Sequence, residues 1–202
     1  MQTEVEVKFV DIQLTQTRRL LKEVGADCIF PMREMRRVIM DTPDLILHKD
    51  HKFLRLRDEG NKITATLKSI DKSRPLNLHS VQEIEVEIDN FDKGIELFTL
   101  LGMKVLSYQE SKRETWSLEG AEVVLDIWPW LNPLIEIEAD ELAVKKVAKL
   151  LGFDWEQALF GGIMPVYRKQ YPNIQKNFKI TNLKEVRFSD PVPKQLIGES
   201  DN

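Results

Sequence analysis

The 202 residues include 29 Lys and Arg against 33 Asp and Glu, a formal net charge of −4, with 42% hydrophobic and 31% charged residues. That balance supports one sizeable core, argues against a chain that coats nucleic acid through bulk electrostatics, and leaves no apolar run near the ~20 residues of a membrane-spanning helix. The single cysteine, Cys28, excludes an intramolecular disulfide and a clustered thiolate zinc site, and the charged, alternating start MQTEVEVKF shows no secretory signal, so a cytoplasmic protein is expected.

Period-two alternation dominates the chain. Residues 3–10 set Glu4, Glu6 and Lys8 against Val5, Val7 and Phe9. Residues 14–24 then read as an amphipathic helix closed by Gly25. Strands follow at 36–41 and 53–58, the second with Arg55 and Arg57 opposite Leu54 and Leu56. Glu59-Gly60-Asn61 reads as a turn into strand 62–69, where Lys62, Thr64, Thr66 and Lys68 alternate with Ile63, Ala65 and Leu67. Residues 81–89 place Glu83, Glu85 and Glu87 on one face. A helix over 92–101, with Asp92 as N-cap and Gly102 at its end, leads into a long strand over 104–118. After a turn at Glu119-Gly120 come strands 121–128 and 134–139, the latter bearing Glu136 and Glu138. A third helix, 140–151, runs between Asp140 and Gly152. From Pro172 the periodicity lapses and prolines recur, so the expected division is a domain over 1–171 and a C-terminal extension over 172–202, either an extended appendage or a loosely ordered tail. Cys28 is expected to be a small buried side chain.

The sameness of the polar faces needs an explanation. Glu-x-Glu occurs on three strands and Arg-x-Arg on a fourth. A sheet of about eight strands tends to close on itself. If the charged faces point inward, the outward apolar faces give the three helices a surface to pack on. Such an interior must be wet, because moving one ion into a low dielectric costs on the order of 20 kcal/mol in the idealised limit. Neighbouring carboxylates raise one another's pKa unless a cation sits between them, and oxygen ligands suit Mg2+ or Mn2+ better than zinc. Lys8, Arg55, Arg57 and Lys68 supply more positive charge than one carboxylate substrate needs, and the guanidinium fork matches phosphate oxygens. The expected fold is α+β, an eight-stranded antiparallel β-barrel with helices packed on the outside. The expected ligand is an elongated polyanion, and a triphosphate is the natural candidate.

Glu4-Val5-Glu6-Val7-Lys8 resembles the N-terminal ExExK signature of the CYTH family, the triphosphate tunnel metalloenzymes. The likeness continues in order through Arg37, Met40-Asp41-Thr42-Pro43-Asp44, Leu54-Arg55-Leu56-Arg57, Thr66-Leu67-Lys68, Glu83-Ile84-Glu85, Lys112-Arg113, Leu125-Asp126 and Glu136-Ile137-Glu138. The resemblance implies that Glu4, Glu6, Glu136 and Glu138 hold a divalent metal, Mg2+ or Mn2+. It implies that Lys8, Arg37, Arg55, Arg57, Lys68 and Arg113 grip phosphate oxygens, with Lys112 the alternative to Arg113 on its strand. It places Glu83, Glu85 and Asp126 on an acidic side, where, together with Lys8, they serve catalysis by positioning a second metal or an attacking water. Val81 stands where the family often has a basic residue, and Arg74 or His79 would have to compensate. Tyr167, Arg168 and Lys169 are expectations for the tunnel mouth, Trp128 and Trp130 for packing on the rim.

The activity so implied is metal-dependent hydrolysis of inorganic triphosphate, thiamine triphosphate or a nucleoside triphosphate. A class IV-type adenylate cyclase and a non-catalytic polyphosphate- or nucleotide-binding module are the alternatives. The expected partner is a small-molecule triphosphate, with no nucleic acid and no membrane; a homodimer is left open.

Overall fold

The computed structural model describes residues 2–70 and 81–199, and the side chains of residues 5–69 and 82–199. The strands are β1 (Gln2–Glu4), β2 (Glu6–Phe9), β3 (Asp27–Asp41), β4 (Lys52–Asp58), β5 (Ile63–Ile70), β6 (Val81–Ile88), β7 (Lys104–Leu118), β8 (Ala121–Ile127), β9 (Leu134–Glu138) and β10 (Glu185–Val186). The helices are α1 (Leu14–Glu23), α2 (Ile46–Lys49), α3 (Phe91–Leu100), α4 (Glu141–Leu150) and α5 (Met164–Gln170).

Hydrogen bonding orders the sheet β1-β6-β5-β4-β3-β7-β8-β9-β2. β1 and β2 are two halves of one N-terminal strand divided at Val5. One half pairs antiparallel with β6 and the other with β9. The two ends of the sheet therefore meet on the same segment, and eight antiparallel strands curl around a hollow.

The apolar faces point outward, beneath the helices. Val7, Val123, Leu125 and Ile137 pack with Leu21 of α1 and Val144 of α4. Leu54, Leu56, Val38 and Met40 receive Phe91 and α3. Gly94 permits that approach, because a Cβ there would lie 2.6 Å from Ile88 Cδ1 and 2.9 Å from Leu56 Cδ2. Asp140 caps α4 as its position suggests, accepting from the amides of Leu142 and Ala143. The cap of α3 is Asn90, which accepts from the Lys93 amide, and Asp92 sits inside the first turn. Both residues suit the role, and the helix simply begins one residue earlier than its apolar pattern indicates.

Three other expectations are corrected. β3 begins at Asp27 and runs far beyond the short strand legible at 36–41; irregularities between Cys28 and Phe30 and between Phe30 and Arg33 break the alternation there. Cys28 is exposed. Residues 172–199 are packed on the barrel: β10 pairs in parallel with β7, Ile180 is buried, and Val186 and Leu196 have no exposed surface. Irregular backbone brings single apolar residues to the wall at uneven intervals, so no periodic signal marks the segment. Among the described residues, no helix is long and apolar enough to cross a membrane.

Candidate active site

The hollow of the barrel is part of an open cavity of about 1410 Å³ that extends to α2 and to residues 160–165 and 179–181. Strand alternation turns Glu6 and Lys8, Arg37, Arg55 and Arg57, Lys68, Glu83 and Glu85, Arg113, Asp126, and Glu136 and Glu138 toward it. Each strand contributes one or two charges, and register decides which of them meet.

On β2 and β9, Glu6 lies opposite Glu138 and Lys8 opposite Glu136. The Lys8 ammonium is 2.6 Å from Glu6 Oε1 and 3.1 Å from Glu136 Oε2, and it donates to the carbonyl of Gly161 at 2.8 Å. Burial alone would lower the Lys8 pKa; Glu136 and Glu6 outweigh it and raise the value above that of an ordinary lysine. Burial likewise pushes Glu136 upward, but Lys8 and Arg113 dominate and hold it well below the usual carboxylate range. Glu6, Glu136 and Glu138 each offer an oxygen within 4.8 Å of the others. Three hard oxygen donors fit a Mg2+ or Mn2+ ion that keeps further positions for water or phosphate. The Glu4 side chain lies outside the described residues.

The opposite wall is cationic, and most of its charges are held by carboxylates. Arg113 makes a bidentate pair with Asp126 at 2.8 and 2.6 Å and lies 3.6 Å from Glu136. Lys68 is 3.0 Å from Glu83, and Arg55 is 3.6 Å from Glu85. Glu85 also accepts from Thr66 Oγ1 at 2.8 Å. Its burial raises the pKa, while the Thr66 bond and then Arg57, Lys62 and Arg55 bring the net value down. Arg37 differs. Its Nε donates to Gln109 Oε1 at 2.9 Å, its guanidinium lies 4.1 Å from the Trp128 ring centroid, and no carboxylate of the described residues forms an ion pair with it. Burial, followed by Arg55, Arg57 and Arg113, lowers its pKa well below that of a solvated arginine.

Lys112 does not belong to this constellation. It projects from the outer face of β7, 3.1 Å from Glu34 and over the Phe188 ring, because the regular strand sends Arg113 inward. Arg36 is the corresponding outer residue on β3, paired with Asp58. None of Tyr167, Arg168 and Lys169 lines the cavity. Tyr167 is fully buried and donates to the Pro129 carbonyl, and Arg168 donates to the carbonyls of Lys176 and Phe178. Trp128 belongs to the cavity wall itself, under Arg37, while Trp130 donates to the Asp190 carbonyl. Arg74 and His79 lie outside the described residues.

Two inward residues escaped the sequence reading. Glu59 looked like part of a turn, yet it is buried between Arg57 at 2.6 Å and Arg33 at 3.2 Å. Its signal is parity, since it continues the face of Arg55 and Arg57. Gln109 shares the inner face of β7 with Arg113 by the same rule, but a neutral side chain drew no notice.

The family model for the CYTH domain matches residues 2–151. The chain belongs to the CYTH family. Among solved structures, the CYTH chain is similar to a conserved hypothetical protein from Pyrococcus furiosus, at 26% identity and TM-score 0.65, over 81% of this chain and 99% of that one. It also matches a candidate adenylate cyclase from Vibrio parahaemolyticus at 16% identity and TM-score 0.69, over 82% and 97% of the two chains. A Hippeastrum protein with a dominant triphosphatase activity shares the fold at 19% identity and TM-score 0.56, over 80% and 91%. No curated protein matches this CYTH chain.

Proposed function

We propose that this CYTH protein is a divalent-metal-dependent hydrolase of a linear triphosphate lying along the hollow. The observation that carries the reading is Arg37. A half-buried guanidinium facing the hollow, with three further arginines nearby and no carboxylate of the described residues paired to it, calls for an anion. Two buried donors near it, Arg57 Nε and Trp128 Nε1, have no acceptor among the described residues, where buried donors are ordinarily paired; for Arg37 itself, phosphate oxygens are the matching acceptors.

In this reading Arg37, Arg55, Arg57, Lys68 and Arg113 bind and orient the phosphate chain, and Lys8 meets it at the boundary with the carboxylate wall. Asp126 and Glu83 fix the cations they hold. Glu85, kept ionised and partly exposed to the hollow, accepts a hydrogen bond from the attacking water. Glu6, Glu136 and Glu138 would hold the metal, with Glu4 from the same strand as a fourth ligand. When bound, the ion polarises a phosphoryl oxygen and offsets charge in the transition state. Catalysis of this type is mostly positioning and electrostatics.

The test is incubation with tripolyphosphate, thiamine triphosphate and ATP under Mg2+ and Mn2+, with products separated chromatographically. Orthophosphate release is expected. Cyclic AMP and pyrophosphate from ATP would assign a cyclase instead, and no turnover of any of the three would leave a binding module.

A further inference from the structure

Arg113, Lys68, Arg57 and Arg55 each have a carboxylate within 4 Å: Asp126, Glu83, Glu59 and Glu85. Arg37 is oriented by neutral groups instead. The register of β3 sets it between Arg57 on β4 and Gln109 on β7. Gln109 is only 1% exposed. Its amide nitrogen donates to Ser107 Oγ at 3.0 Å, which leaves the amide oxygen facing the Arg37 Nε. The Trp128 ring supports the guanidinium plane from another side, at a distance where the ring quadrupole attracts a cation.

Neutral support has a consequence for binding. A guanidinium locked to a carboxylate must share its donors and much of its field with that partner when a phosphate arrives. One held by an amide oxygen and a ring keeps both its orientation and its charge. Resting on the reading of a triphosphate in the hollow, we propose that Gln109 and Trp128 are positioning residues that hold Arg37 in place without neutralising it, so that a substrate phosphate is its counter-ion.

The test compares Gln109→Glu, Trp128→Phe and Trp128→Leu with the parent, using calorimetric binding of tripolyphosphate without metal and thermal unfolding of the same samples. Gln109→Glu keeps an oxygen acceptor and adds the missing counter-charge. It is expected to match or exceed the parent in melting temperature while binding tripolyphosphate at least about tenfold more weakly. Trp128→Phe retains a ring face and should bind within about threefold of the parent, and Trp128→Leu should bind more weakly than Trp128→Phe. Unchanged affinity in Gln109→Glu overturns the inference. So does a joint loss of affinity and stability in that variant, which marks a merely structural role. A parent protein that binds tripolyphosphate neither without metal nor with Mg2+ overturns the functional reading and this inference with it.

Discussion

The Lys8 ammonium sits between Glu6 and Glu136, 2.6 Å from one and 3.1 Å from the other, in the midst of the three carboxylates that can share a divalent ion. Lysine and metal therefore offer the same compensation to the same charges. Lys8→Met removes the resident cation and leaves two buried carboxylates facing each other, a loss of about 3–5 kcal/mol for a buried pair broken on one side. The variant is expected to melt well below the parent without metal and to regain most of the difference in Mn2+, with a larger Mn2+-induced shift than the parent shows. Thermal unfolding with and without Mn2+ measures both. A variant indifferent to Mn2+ contradicts the metal assignment.

Glu138 and Glu122 test the same assignment by geometry. They are paired in register on β9 and β8 and both border the cavity, but only Glu138 joins Glu6 and Glu136 within 4.8 Å. Glu138→Gln should weaken Mn2+ binding by about tenfold or more, since a neutral amide is a poorer ligand for a hard cation. Glu122→Gln should leave it within about twofold. Isothermal titration with Mn2+ alone reads the difference, and equal losses would mean that net negative charge, and no defined ligand set, attracts the ion.

Much of this was legible in the residues, for reasons that also mark where legibility stops. Alternation along β2, β4, β5, β6 and β9 shows which side chains share a face, and Glu-x-Glu beside Arg-x-Arg makes sense only if those faces converge on a hollow. The same parity rule separates Arg113 from Lys112 and Arg37 from Arg36. It fails on the first part of β3, where irregular pairing breaks the period. It is silent on Glu59, whose strand face runs on into what looks like a turn. Residues 172–199 were misread because no repeat announces a segment whose anchors, Ile180, Val186 and Leu196, are spaced by wall geometry. The neutral support of Arg37 was hidden for a further reason: Gln109 and Trp128 matter through what they do not carry, a negative charge.

Tyr167 gives the fold a sensitivity to alkali. Its hydroxyl is buried and donates to the Pro129 carbonyl at 2.9 Å, and burial raises its pKa above that of an ordinary tyrosine. The unfolded chain releases this proton near pH 10. The native state binds more protons than the unfolded state above that point, so the Tyr167 contribution is complete below about pH 10 and declines as pH rises further. Tyr167→Phe should lose about 1 kcal/mol at pH 7 with the hydrogen bond, and its stability should fall less steeply between pH 9.5 and 11 (roughly the window set by the unfolded pKa). Urea unfolding across that range decides it; parallel curves for the two proteins would mean that the proton is not retained in the fold.

The C-terminal segment and the cationic wall share one residue. Trp128 packs with Leu134 and Tyr167 in the cluster that also takes Ile180, Val186 and Leu196, while its ring supports Arg37. A loose extension could be removed without consequence for either. A segment built into the wall could not, because its loss would uncover Trp128 from behind and free it to turn away from the guanidinium. Leu196→Ala, at a site with no exposed surface, is expected to cost about 2–5 kcal/mol. Deletion of residues 172–202 should lower the melting temperature further, expose apolar surface to a hydrophobic dye and weaken tripolyphosphate binding. Glu6, Glu136 and Glu138 rest on strands packed against the separate α1 and α4 cluster, so Mn2+ binding should survive in whatever fraction of the truncated protein stays folded. A truncated protein that melts like the parent and binds tripolyphosphate equally well would show that the segment merely rests on the barrel.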